Sequence, residues 1–164
     1  MTRAAAMLVF LLTVPPLPVQ AEQTRDFGDY VVHYNALVTD LLAPEVARNY
    51  GIQRSSHRGL VNITVRKKPS AVAAGEPVPA RVKVTTTHGG KQLHELEVRE
   101  IREQGAIYYI AEFDIDRNLT LNFDLSVTPA DQNNTYIFSF SRQFYVEQAA
   151  PVPPARYTPT APHK

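Results

Sequence analysis

The chain has 164 residues, with 17 Lys and Arg against 16 Asp and Glu, a formal net charge of +1 and no cysteine. So even a balance lacks the clustered positive field that nucleic acid or an anionic membrane surface attracts. Without cysteine there is no disulfide, no thiolate metal centre, no thiol nucleophile and no residue for a lipid anchor.

At the start, Arg3 precedes an apolar run from Ala4 to Val14, followed by Pro15, Pro16 and Pro18 and then Val19-Gln20-Ala21. A cation, a short apolar core and small residues at a cleavage position mark residues 1–21 as a secretory signal peptide, cut after Ala21. The run is too short and too broken by proline to span a bilayer, which takes about 20 apolar residues. Export to a bacterial periplasm, with no membrane anchor, is the resulting expectation. Met1 and Met7 both lie in this segment, as does Arg3, so its removal leaves basic and acidic side chains equal in number.

Residues 22–148 read as one domain of short strands, because apolar residues recur at every second position. Tyr30, Val32, Tyr34, Ala36 and Val38 share the inward face of the first strand, which turns His33 and Asn35 to the other side. The stretch "LLAPEVARNYGIQ" breaks the pattern: Leu41, Leu42, Val46 and Tyr50 recur at helical spacing, Pro44 suits a helix start and Gly51 its end. One short helix is expected there, capping an open end of the domain. Period-two runs resume at Val61, Ile63 and Val65, at Val82 and Val84, and at Leu96 and Val98. After Val98 the phase slips, since Ile101 is out of register, and a bulge near Glu100 would account for it. Ile107, Tyr109, Ala111 and Phe113 form the next inward face, leaving Tyr108, Ile110 and Glu112 outward. Leu119 to Val127 alternates with polar residues throughout, and Tyr136, Phe138 and Phe140 close the series. About seven strands punctuated by turn residues indicate an all-β fold with one short helix, an antiparallel immunoglobulin-like β-sandwich, ahead of an open barrel.

Residues 149–164, "AAPVPPARYTPTAPHK", hold five prolines and little apolar bulk. Such a segment buries too little surface to offset its ordering entropy, so a disordered Pro-rich tail is expected.

No catalytic pattern stands out. Ser55 and Ser56 adjoin His57, but adjacency in sequence is not triad geometry. "HGGK" lacks the spacing of a phosphate loop, and no cofactor is implied. With neither cysteine nor methionine left after the signal, copper sites built on sulfur are excluded. His88 and His94 flank a Gly-Gly turn, so a hairpin would approach them for Zn²⁺ or Cu²⁺, with His33 as a further ligand. Their spacing matches no standard metal motif. His33, Asn35 and Tyr108 form the candidate interaction surface, because apolar and aromatic residues turned outward on a sheet are common where partners bind.

Four blocks, "FGDYVVHYNAL", "PEVARNYGIQRS", "EIREQGAIYYIAEF" and "TLNFDLSVTP", fall in an order that resembles a family of small exported gamma-proteobacterial proteins. That family is catalogued as a domain of unknown function, number four-four-two-six in its series, and the likeness runs from about Phe27 to Tyr145. It implies export, a compact β-rich domain and no established activity, with no catalytic residues to carry over. The reading that follows is a non-enzymatic periplasmic module that binds an envelope protein or peptide. The alternative is a histidine-based metal-binding module.

Overall fold

Alternating burial translates directly into two antiparallel sheets, in a computed structural model that describes residues 23–70, 75–89 and 91–146, with backbone alone at 91–94. The expected signal peptide and the Pro-rich tail lie outside these residues. Ten strands are present among them: β1 (Gln23–Phe27), β2 (Tyr30–Val38), β3 (Arg58–Lys67), β4 (Glu76–Pro77), β5 (Ala80–His88), β6 (Lys91–Leu96), β7 (Arg99–Glu103), β8 (Ala106–Asp114), β9 (Leu119–Pro129) and β10 (Tyr136–Phe144). Six make one sheet in the order β1-β2-β3-β8-β7, with β4 paired to β3, and four make the other in the order β10-β9-β5-β6. With β1 and β4 set aside, β2-β3-β8-β7 and β10-β9-β5-β6 are the A-B-E-D and G-F-C-C′ sheets of an immunoglobulin-like sandwich.

The extra strands have simple causes. β1 pairs along the free edge of β2 from Gln23↔Tyr34 to Phe27↔Tyr30, joined through Gly28 at φ 78°. The slip after Val98 is a change of sheet rather than a bulge at Glu100. β6 ends at Leu96 in the four-stranded sheet, and β7 begins at Arg99 in the six-stranded one. Crossing between layers resets which side chains face the core. A bulge does occur nearby, between Thr86 and Thr87 where β5 pairs with β6.

The core lies between the sheets. Val32, Val61, Ile63 and Val65 meet Val84, Phe123, Leu125 and Val127, all at or near zero exposure. Phe123 anchors an aromatic group, stacked on Phe140 at 4.8 Å and edge-on to Phe113 at 5.3 Å. Each such pair adds about 0.5–1.5 kcal/mol beyond its area burial, which helps a domain with no disulfide hold its layers together.

Tyr109 is a polar link between the layers. From β8 its hydroxyl accepts the Ala80 backbone N–H of β5 at 2.7 Å and donates to Glu100 Oε2 at 3.0 Å. Burial above all, with the Glu100 carboxylate adding to it, pushes this phenol up to about 12. A phenol raised above its ordinary value near 10 stabilises the fold fully below pH 10. That stabilisation is lost as pH rises towards 12, because the unfolded chain ionises first. The stability difference between the wild type and Tyr109→Phe should therefore be constant from pH 7 to 9 and shrink between 10 and 12. Urea midpoints measured across that range check it; a difference that stays flat to pH 12 refutes the assignment.

The helix α1 (Pro44–Asn49) follows a single 3-10 turn at Thr39–Leu41 and is shorter than the sequence pattern implies. Leu41 is left exposed and Gly51, at φ 64°, ends the helix. α1 does not cap an open end of the sandwich: it lies on the outer face of the six-stranded sheet. There Ala47 and Ile52 pack with Leu60 of β3 and Ile110 of β8, joined by Leu42, Tyr50, Ile101 and Tyr108. Apolar residues at outward positions of β3, β7 and β8 provide the surface it covers. No helix among the described residues is long and apolar enough to cross a membrane.

Candidate functional site

The alternation that buries Val32, Tyr34 and Ala36 presents His33, Asn35 and Leu37 on the outer face of β2. Register extends these positions across the sheet, with Asn35 beside Asn62, Asn62 beside Ile110, and His33 beside Thr64. Onto this surface the chain from Thr39 to Ser55 folds back. Thr39 is fully buried; its hydroxyl accepts the Ser55 N–H at 3.0 Å and lies 2.8 Å from the Gln53 carbonyl, to which it donates. Arg54 Nη2 donates to the Asp40 carbonyl at 2.5 Å, closing the same loop. At the far end of α1 the Tyr50 hydroxyl donates to Glu103 Oε1, and Arg99 Nη1 donates to the Tyr50 carbonyl at 3.3 Å. The loop is thus tied down at both ends, and between them Ala47 and Ile52 rest on Leu60 and Ile110 of the sheet.

What remains beneath is an apolar cavity of about 250 Å³. Its floor is Leu37, Leu60, Ile101 and Ile110, its roof Leu42, Val46 and Tyr50, and Tyr108 forms a side wall. Besides the two tyrosines, one polar side chain belongs to it, Asn62, whose Oδ1 is buried with no hydrogen-bond partner. An unanswered buried carbonyl oxygen costs about 1–3 kcal/mol. Beyond Tyr108 a second depression of about 190 Å³ opens, lined by His33, Thr64, Arg66 and Pro77. Tyr108 lines both.

Of the three residues singled out as an interaction surface, Tyr108 and His33 line these hollows, while Asn35 lies beside Asn62 in register and lines neither. In sequence Asn62 reads as a polar residue in an alternating strand and as the start of an Asn-Ile-Thr sequon, and neither marks a cavity. The signal that points to it is the apolar residue on the outward position beside it, Ile110. A sheet face meant for water does not repeat such residues across neighbouring strands.

The histidines of the β5–β6 hairpin occupy the other sheet. His88 Nδ1 is 3.0 Å from the Thr120 carbonyl, and the register sets His94 opposite Thr86. His33 belongs to the six-stranded sheet, on its outer face. Among the described residues no group of three or more His, Asp or Glu is gathered as metal ligands. A cleft of about 520 Å³ beside His88 contains several acids, but cations answer most of them. Arg58 reaches Glu112 at 3.4 Å and Asp114 at 3.5 Å, Arg99 reaches Glu112 at 3.1 Å, and Lys83 reaches Glu95 at 3.7 Å. The Ser55–His57 neighbours meet through the main chain: the His57 backbone N–H donates to Ser55 Oγ at 3.0 Å. The His57 ring faces the Ile115 carbonyl at 3.2 Å.

Fold and site together define an immunoglobulin-like β-sandwich with a roofed apolar cavity on the outside of one sheet. The chain belongs to the family described as a domain of unknown function (DUF4426), whose model matches residues 24–147. It is similar to a DUF4426 family protein from Pseudomonas aeruginosa PAO1, known from a crystal structure at 2.09 Å resolution. The two are 34% identical with a TM-score of 0.66, and the match covers 79% of this chain and 98% of that one. Among curated proteins there is no sequence match.

Proposed function

We propose that the protein is a periplasmic, non-enzymatic binding module of the cell envelope that holds an envelope component at the α1 cavity. The observation that carries this reading is the cavity itself: about 250 Å³ of apolar space beneath a tethered helix, with Tyr108 as the wall it shares with the His33 depression. Concave, mostly apolar sites with few polar groups are where small ligands and apolar anchors of partners are held. Export is supported by the Arg3 to Ala21 pattern, and a binding role by the lack of any nucleophile–base pattern in the sequence.

A photoreactive residue at position 108, compared with one at exposed Gln143 on β10, tests both parts in intact cells. Protein recovered from the periplasmic fraction should carry an added mass when labelled from position 108 and none from 143. Equal labelling from both positions rejects the site, and recovery from the cytoplasm alone rejects the location. Turnover in a hydrolase screen that one point substitution abolishes would overturn the non-enzymatic reading.

A further inference from the structure

We infer that the cavity under α1 binds a small neutral amphiphile, an apolar body carrying one hydroxyl or amide N–H that is donated to Asn62. This rests on the reading of the cavity as the working site and names the chemistry it takes. Size sets the scale. An engineered apolar cavity of about 150 Å³ accepts benzene, so about 250 Å³ accommodates roughly ten non-hydrogen atoms. Charge sets the class, for no residue lining the cavity is ionised at neutral pH, and a carboxylate or ammonium would surrender its hydration for nothing. Polarity sets the orientation. Among the described residues Asn62 Oδ1 is the one buried side-chain oxygen or nitrogen without a hydrogen-bond partner, and a carbonyl oxygen is satisfied only by a donor. The neighbouring Tyr50 hydroxyl does not compete, because it is committed to Glu103. A ligand that fills the apolar space and places its donor at Asn62 completes the one unfinished buried polar contact of the site.

The test compares 1-octanol, its isomer dibutyl ether, which lacks a donor, and octanoate, which is charged, by amide NMR titration of the isotopically labelled protein. Octanol should give saturable shifts at Leu60, Asn62, Ile101 and Ile110, with the ether and octanoate each weaker by about tenfold. In Asn62→Leu the preference for octanol over the ether should vanish. Val46→Trp, placed on the half-exposed roof where a larger ring does not disturb the sandwich core, should block both. Equal affinity for octanol and ether in the wild type, saturable shifts confined to other surfaces, or no saturable binding overturns the inference. So does a preference for octanol that survives in Asn62→Leu. Octanol selectivity without cellular labelling from position 108 removes the envelope role and leaves this chemistry standing; labelling without octanol selectivity does the reverse.

Discussion

Replacing Gly59 with alanine should destabilise the protein by about 1 kcal/mol, although glycine is ordinarily the weaker residue in a strand. Gly59 of β3 sits opposite Phe113 of β8, and an added Cβ would fall well inside van der Waals contact of the Phe113 ring at Cε2 and Cζ. The ring borders the cleft beside His88 on one side and is backed by other aromatics on the core side. It meets Phe123 and Phe144 edge-on, each at 5.3 Å, at the centre of the inter-sheet core. Two effects oppose one another. Alanine in a strand gains about 0.5–1 kcal/mol over glycine from backbone entropy. Overpacking a filled core costs about 1–3 kcal/mol. Moving the ring far enough to admit a methyl group disturbs its contacts with both Phe123 and Phe144, so overpacking wins. Urea unfolding of Gly59→Ala, Phe113→Leu and the double variant decides it, because the smaller leucine leaves room for the new methyl. The double variant should be less destabilised than the two single changes together; strict additivity would mean that the two positions do not meet.

The same position shows what sequence patterning reaches and what it misses. Strict period-two runs such as Leu119 to Val127 identify their strand and buried face from sequence alone, because one side chain in two meets the core. Gly59 carries no such signal, since its role is to leave space for a ring more than fifty residues away. The Val98 slip is visible as an irregularity. Its cause, a crossing from one sheet to the other, depends on partners that only the assembled sheets supply. β1 is opaque for a related reason: Gln23 to Asp26 is exposed, and its strand exists through pairing with the edge of β2 rather than through an apolar face.

The candidate site divides in the same way. Tyr108 and Ile110 stand out in sequence because they put apolar bulk on the side of β8 facing away from Tyr109 and Phe113. The helix is announced by Pro44, Gly51 and the spacing of Leu42, Val46 and Tyr50. Patterning does not reveal that this helix folds over that surface, since nothing local specifies the direction in which the chain leaves β2. The direction is set by Thr39, a residue that in sequence looks like an ordinary strand end.

Thr39→Val should therefore cost about 1–2 kcal/mol and loosen α1 before it weakens the sandwich. Valine matches threonine in shape, so packing is preserved and the hydroxyl alone is removed. Its loss strands the Ser55 N–H and the Gln53 carbonyl, which the hydroxyl engages at 3.0 and 2.8 Å. Leaving a buried backbone group unpaired costs about 1–3 kcal/mol, and because Gln53 is exposed and Ser55 half-buried the lower part of that range applies, still more than one additional buried methyl returns. The consequence is local because α1 has only six residues, far below the length at which an isolated helix sustains itself in water. Once its return loop is untied, the helix is held mainly by Ala47 and Ile52 on Leu60 and Ile110. Amide exchange in residues 45–50 should accelerate well beyond that in β3 and β9, and octanol binding should weaken with it. Thr39→Ser keeps the hydroxyl and should lose only about 1 kcal/mol for the deleted methyl, with exchange in α1 close to that of the wild type. If valine and serine variants show the same helix exchange, the hydroxyl does not hold the roof of the cavity in place.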